Sequence, residues 1–245
     1  MLKFSLNRWV DICGICVFPL LVAIGCGGGQ GSSPPPPLQT YTTSFPVAEN
    51  PISESGRWIN GGAIGLDWTD ISTTSGLAVG HQDTVPFSDA TALLTGSWGA
   101  DQAATGKVYS VRQNDACSQE VELRLRSSLA AHVSTGYEIL FKASKTSQAY
   151  AQIVRWDGPL GAFTVLTDMR GAAYGVANGD TVNATIVGNV ITAFINSMQV
   201  AQATDNTYTG GNPGMGFNLD VAPEGCAGTN GDYGFTSFTA TVVSN

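Results

Sequence analysis

Residues 120–126 (Glu-Val-Glu-Leu-Arg-Leu-Arg) alternate strictly between charged and aliphatic side chains. A β-strand sends successive side chains to opposite faces, so this pattern demands an extended chain with one apolar face and one charged face. Val121, Leu123 and Leu125 form the apolar set, and Glu120, Glu122, Arg124 and Arg126 form the charged one. Such a charged stripe is most often a solvated sheet face carrying cross-strand ion pairs. Residues 136–142 repeat the alternation and residues 150–156 supply a third strand. From Tyr41 onward no helical periodicity competes with this pattern.

Turn chemistry orders the strands. Gly188-Asn189 is a two-residue hairpin loop between strands expected over 181–187 and 190–195. Asn196-Ser197 then turns the chain into a strand over 198–203. Asp157-Gly158 follows Trp156, and residues 163–166 return. A last strand over 234–243 is expected to pair near the first. Short strands at this spacing indicate a sandwich or barrel. No linker or internal repeat interrupts the chain, so residues 45–245 read as one all-β domain. Composition agrees: charged residues make up 12%, about half the usual ~25%. A net charge of -8 with scattered cations argues against nucleic acid and anionic lipid as partners.

The first residues read as an address. Lys3 and Arg8 precede an apolar run over 12–25, which has the length of a signal-peptide core. The run ends in Ala23-Ile24-Gly25-Cys26, which resembles a bacterial lipobox. Residues 1–25 are therefore expected to be a lipoprotein signal peptide. Cys26 is the expected lipidation site, and residues 26–44 a Gly/Ser/Pro tether. An ordinary secretory signal with an incidental cysteine is the alternative. Gly27 follows where Asp would imply inner-membrane retention, so the resemblance implies a lipid-anchored protein of a bacterial outer membrane, on its periplasmic or surface face. The lipid would be its only membrane contact. Cys13 and Cys16 leave with the signal, and Cys117 and Cys226 remain as an even pair. An oxidising compartment predicts a disulfide between them, with two buried thiols as the alternative.

Residues 179–200 (Gly-Asp-Thr-Val-Asn-Ala-Thr-Ile-Val-Gly-Asn-Val-Ile-Thr-Ala-Phe-Ile-Asn-Ser-Met-Gln-Val) and the following Gly211-Asn212-Pro213-Gly214-Met215-Gly216-Phe217 resemble the core hairpins of laminin G-like and other concanavalin A-like lectin/glucanase domains. The resemblance implies a two-sheet antiparallel jelly-roll sandwich with a carbohydrate-binding or surface-recognition role. Sugar sites pair aromatic rings with hydrogen-bonding side chains. On those grounds Glu122, Arg124, Glu138, Tyr150, Gln152 and Trp156 are the candidate ligand-binding residues. Tyr137 and Arg155 are further candidates, although alternation puts Arg155 on the opposite face from Tyr150, Gln152 and Trp156. Trp156 and Tyr150 have a competing reading as core residues, and Trp58 and Trp68 read as structural.

No catalytic residues are assigned. The paired acidic motif of the related glucanases is absent, and so are the histidine and the tyrosine-rich run of jelly-roll alginate lyases. A polysaccharide lyase or glycoside hydrolase on the same fold is the enzymatic alternative. A structural or adhesive domain with a protein partner is the third reading. No cofactor is expected beyond calcium, for which Asp205-Asn206, Asn218-Leu219-Asp220 and Asn230-Gly231-Asp232 are the richest oxygen clusters.

Overall fold

The computed structural model describes residues 39–81, 85–113, 116–220 and 226–244. The expected signal peptide, Cys26 and the tether up to residue 38 lie outside the described residues. Fifteen strands occur among the described residues, in two antiparallel sheets. One sheet runs β13 (Met198–Thr204), β12 (Val190–Ile195), β11 (Thr181–Val187), β6 (Gln102–Ser110), β15 (Tyr233–Val242), β4 (Leu77–Gly80), β3 (Ile71–Thr74), with β1 (Thr40–Thr43) also on β15. The other runs β10 (Phe163–Arg170), β9 (Tyr150–Gly158), β8 (Val133–Lys142), β7 (Ser118–Ala130), β14 (Asn212–Asp220), β5 (Ala90–Leu94), β2 (Trp58–Asn60). The expected sandwich is present. Its first strand precedes the expected start at residue 45: Thr40–Thr43 pairs with Phe238–Thr241, so the domain begins inside the segment read as tether. The last strand pairs with this first one, as expected, and also with β6 and β4.

The hairpins follow their turn residues. Val187 faces Val190 across Gly188-Asn189. Asn196 and Ser197 both take positive φ, as a tight hairpin loop between β12 and β13 requires. The β9–β10 turn falls later than expected. Asp157 and Gly158 belong to β9, and the Asp157 amide bonds the Ala162 carbonyl at 2.9 Å.

The apolar alternation closes the core. Val121, Leu123 and Leu125 of β7, with Ile139 and Phe141 of β8, pack against the inner face of the other sheet, which contributes Val182, Ile191, Phe235 and Phe238. Tyr137 belongs to this inner set and is fully buried, so it does not join the ligand face. Trp58 also sits in this core, as its structural reading required.

The charged alternation ends one residue early. A bulge between Leu125 and Ser128 and a φ of 47° at Arg126 swing that side chain off the face shared by Glu120, Glu122 and Arg124. Arg126 instead donates to the Ala100 carbonyl at 2.6 Å and the Gly188 carbonyl at 2.7 Å, tying the end of β7 to the other sheet. Gly136 and Gly211 flank the bulge at positive φ. A Cβ on either would come within 2.5 Å of the backbone at 126–127.

Cys117 and Cys226 form a disulfide across 109 positions. A covalent link closing so long a loop removes much of the unfolded chain's freedom, worth up to ~4 to 5 kcal/mol in the chain-entropy model. Reduction, or paired Cys117→Ser and Cys226→Ser substitution, is expected to lower unfolding free energy by a few kcal/mol. Urea titration with and without reductant checks it; coincident curves would mean that the bridge constrains little.

Candidate functional site

The outer face of the β10–β2 sheet carries the polar half of each alternation. Cross-strand register arranges it in rows. Asn218, Glu120 and Lys142 make one row; Gly216, Glu122, Leu140 and Gln152 the next; Gly214, Arg124, Glu138 and Val154 a third; and Gly136, Trp156 and Phe163 a fourth. Gly216 sits in the second row because a Cβ there would lie 2.2 Å from the Glu122 carboxylate. All six sequence-nominated ligand residues, Glu122, Arg124, Glu138, Tyr150, Gln152 and Trp156, lie on this one face. Arg155 lies off it, paired with Asp157 and Asp205 at 2.6 Å each.

This face is not solvated, contrary to the ordinary expectation for a charged stripe. Glu122 and Arg124 are 0% and 1% exposed. The cover is a turn-rich segment leading from β2 toward β3. Its Leu66 and Trp68 pack on Leu140, Val154 and Trp156 as a second apolar cluster. The Gly62 amide donates to Asp70 at 2.8 Å, and Gly65, at φ 78°, shapes the turn that delivers them. The His132 amide donates to the Gly65 carbonyl at 3.0 Å, and the Thr91 amide to the Thr69 carbonyl at 2.9 Å, so the cover is fastened to the β7–β8 turn and to β5. Trp68 and Trp156 meet edge to face at 5.1 Å. Trp68 is thus structural, and Trp156 is buried beneath it and beside Phe163.

Beside this cover a cavity of about 120 Å³ remains open. Its polar wall is Asp89, Glu120, Glu138, Gln152 and Asn218; its apolar wall is Phe87, Leu140, Val154, Trp156 and Phe163. Phe87 and Phe163 meet at 5.3 Å at the mouth, and Phe87 is 51% exposed at a φ of 65°. A ring residue in the left-handed region is uncommon and marks a position held by its surroundings. Of the nominated residues, Glu138, Gln152 and Trp156 line the cavity. Glu122, Arg124 and Tyr150 stand behind the lining and position it.

Arg124 organises the charges. Its guanidinium reaches Glu122 and Glu138 at 2.7 Å each and Asp89 at 3.6 Å, and it donates to Thr91 at 3.2 Å. Burial alone would lower the guanidinium's proton affinity, but Glu138, Glu122 and Asp89 together hold it above its ordinary value. Burial, and then the charge of Glu138, raises the carboxyls of Asp89 and Glu122 well above the usual range. Burial also raises Glu120 to about 7, against the hydrogen bonds it accepts from Tyr150 and Asn218. The indole of Trp156 donates to Glu138 at 2.6 Å. Among the described residues Glu122 Oε1 and Arg124 Nε have no hydrogen-bond partner.

Asp89, Glu122 and Glu138 bring carboxylate oxygens within 4.8 Å of one another, close enough to share a metal ion. The Arg124 guanidinium already makes those contacts, so a cation there would have to displace it. The oxygen-rich loops nominated for calcium are engaged elsewhere. Asp205 accepts from Tyr137 and the Thr207 amide, Asn218 turns to Glu120, and Asp232 caps a short turn at Thr229. Sequence reasoning missed Asp89, Glu120, Asn218, Phe87 and Phe163 as lining residues. For Glu120 and Asn218 the alternation was a sufficient signal. Asp89 and Phe87 come from a segment outside any strand, and only the fold brings them here.

The Glu120 shift has a signed consequence. A carboxyl whose folded value exceeds its unfolded one holds its proton more tightly when folded. Its stabilisation is present below about 4.5 and is lost as pH rises through about 7. The loss is on the order of 3 kcal/mol, and Asp89 and Glu122 act in the same direction. Melting temperature should therefore fall between those pH values, and Glu120→Gln should flatten the profile. A melting temperature that climbs across the window would contradict this.

No protein-family model matches the chain, and no curated protein matches it in sequence. Solved structures do. A native glycosidic hydrolase superposes with TM-score 0.50 at 11% identity, over 84% of this chain and 96% of that one. The carbohydrate-binding module CBM66 from Bacillus subtilis gives 0.49 at 14%, over 76% and 91%. A kappa-carrageenase from Zobellia galactanivorans gives 0.48 at 10%, over 87% and 98%. At 11% identity the likeness to the glycosidic hydrolase is one of fold alone, and with the two antiparallel sheets it shows the fold to be a jelly-roll sandwich of the concanavalin A-like type.

Proposed function

We propose that this chain is an exported, lipid-anchored protein whose jelly roll binds a glycan at the cavity over β7, β8 and β9 without cleaving it. One observation carries the reading: an aromatic pair, the exposed Phe87 and the half-buried Phe163, stands beside a polar wall that includes Gln152. The side-chain amide of Gln152 makes no hydrogen bond among the described residues. A sugar ring matches such a wall, since its C–H face covers an aromatic ring while its hydroxyls bond the amide and carboxyl groups. The cavity's size suits one sugar unit or part of one, which favours recognition of a chain end or a side branch. Cys26 and the tether before β1 would hold the domain off the membrane surface.

A hydrolase is the second reading, and the proton affinity of Glu120 favours it. A buried carboxyl at about 7 that lines a cavity has the property of a general acid. Against it, the neighbouring Glu138 is engaged by both Arg124 and Trp156. It is therefore poorly placed to attack a sugar or activate water.

A glycan-array screen of the full chain in detergent, with reducing-end and unsaturated-product assays on the same ligands, tests both. The expected result is retention of a glycan without product, weakened about tenfold by Phe163→Ala. Turnover that disappears in Glu120→Gln would replace the binding reading with the hydrolase. Silence on every glycan would reject both and leave a protein-binding surface domain. Anchoring is tested separately: Cys26→Ser should shift the chain from the membrane to the soluble fraction, and retention in the membrane would reject the lipid.

A further inference from the structure

We propose that the outer face of the β13–β3 sheet is a second glycan surface, which takes an extended stretch of an uncharged polysaccharide and seats one sugar ring on Phe194. It belongs to the other sheet from the cavity and does not depend on it.

The chemistry of the face is the first argument. Thr42, Thr239, Thr105, Asn183 and Phe194 form one row across β1, β15, β6, β11 and β12. Thr40, Thr241, Ala103, Thr185 and Thr192 form the next. Five strands at ~4.8 Å make each row roughly 19 Å long, room for several sugar units. A third row adds Ser237, Lys107 and Thr181, and Lys107 is the one charged side chain in the three. That neutrality contrasts with the chain's net charge of -8 and with the acids of the opposite face. An anionic polymer finds a single cation here and a cationic one no acid, whereas an uncharged polymer buries little charge on binding. Each threonine sets a methyl beside a hydroxyl, and a sugar ring alternates C–H and O–H groups on the same scale. The Thr42 and Thr239 hydroxyls, 3.1 Å apart, already make the kind of bond such a ligand would extend.

Phe194 is the second argument and is independent of the first. It is half-buried on this face, yet it belongs to neither apolar cluster among the described residues. The ring lines a depression of about 360 Å³ together with Thr105, Thr181, Asn183 and Ser197. The Asn183 amide donates to Thr105 Oγ1 at 2.8 Å and to the Ala104 carbonyl at 3.1 Å. Those bonds fix the side chain and leave its Oδ1 without a donor among the described residues. The Thr105 hydroxyl accepts one of them and keeps its own hydrogen to give. A ring to cover, an oxygen to accept and a hydroxyl to donate are thus held in one depression. A sugar's C–H face and hydroxyls match that set.

The test is affinity electrophoresis of the full chain in detergent, through native gels that hold a mixed-linkage β-glucan, a galactomannan or the anionic polygalacturonate. At least one of the two neutral polymers is expected to retard the chain, and polygalacturonate to leave it unretarded. Phe194→Thr should weaken the retention about tenfold. Threonine suits a strand, and Phe194 lies outside both apolar clusters, so this variant should fold. Phe194→Tyr keeps the ring and should keep the retention. Asn183→Thr is the second variant and should also weaken it. Both weakening variants should leave unchanged any array binding that Phe163→Ala diminishes. Retention lost in Phe163→Ala but intact in Phe194→Thr and Asn183→Thr would assign the polymer to the cavity, overturning this inference and leaving the glycan reading standing. Passage unhindered by either neutral polymer, or equal retardation by polygalacturonate, would overturn it too. An array silent on every glycan, beside retardation that needs Phe194, would reject the cavity and leave this face standing.

Discussion

Arg124 holds a full charge in a layer that water barely reaches, and the face around it is arranged to keep that charge matched. Removing one partner from a buried ion pair leaves an uncompensated charge, which is far costlier than losing a surface pair. The guanidinium therefore binds Glu122 on its own strand, Glu138 on the next and Asp89 at the end of the loop that leads into β5, two strands away in the same sheet. Three separate parts of the chain are located by one side chain. The geometry of the cavity wall follows from that fixation, because Asp89 and Glu138 are both held by Arg124 and both line the cavity.

The cover over this face explains why the charges are buried at all. A two-sheet sandwich normally has one wet face per sheet, so its strands alternate apolar and polar. Here Leu66 and Trp68 close over Leu140, Val154 and Trp156, giving the sheet an apolar contact on its outside as well. Low polarity on both sides strengthens every electrostatic interaction in the patch. It raises the proton affinity of Glu120, Glu122 and Asp89, and makes Gly216 necessary where the Glu122 carboxylate needs room. At the rim Phe87 stays exposed where the cover stops, against the half-buried Phe163.

Catalysis and recognition draw on the same acids in different states. An acid near neutrality can donate a proton, but a hydrolase also needs a second carboxylate free to act across the bond. Glu138 and Glu122 are committed to Arg124, and Glu138 also accepts from Trp156. On the reading proposed above, that engagement suits a site that orients a ligand better than one that cleaves it.

Strand alternation and turn residues were legible in the sequence because they are local. The period-two pattern of residues 120–125 and the Gly188-Asn189 and Asn196-Ser197 loops specify faces and hairpins from neighbouring residues alone, and the structure follows them. The same local logic put Glu122, Arg124, Glu138, Tyr150, Gln152 and Trp156 on one face. It failed at Arg126, where a bulge between two close-packed glycines ends the alternation. It could not tell a solvated stripe from a buried one, since burial depends on what packs above. Only tertiary structure brought Trp68 over Trp156 and Asp89 up to Arg124, because those contacts join segments that share no periodicity and meet only when the sheet closes. The sequence by itself therefore determined which side chains share a face, through the backbone's two-residue repeat. Folding decided which of them water reaches, through contacts between distant segments.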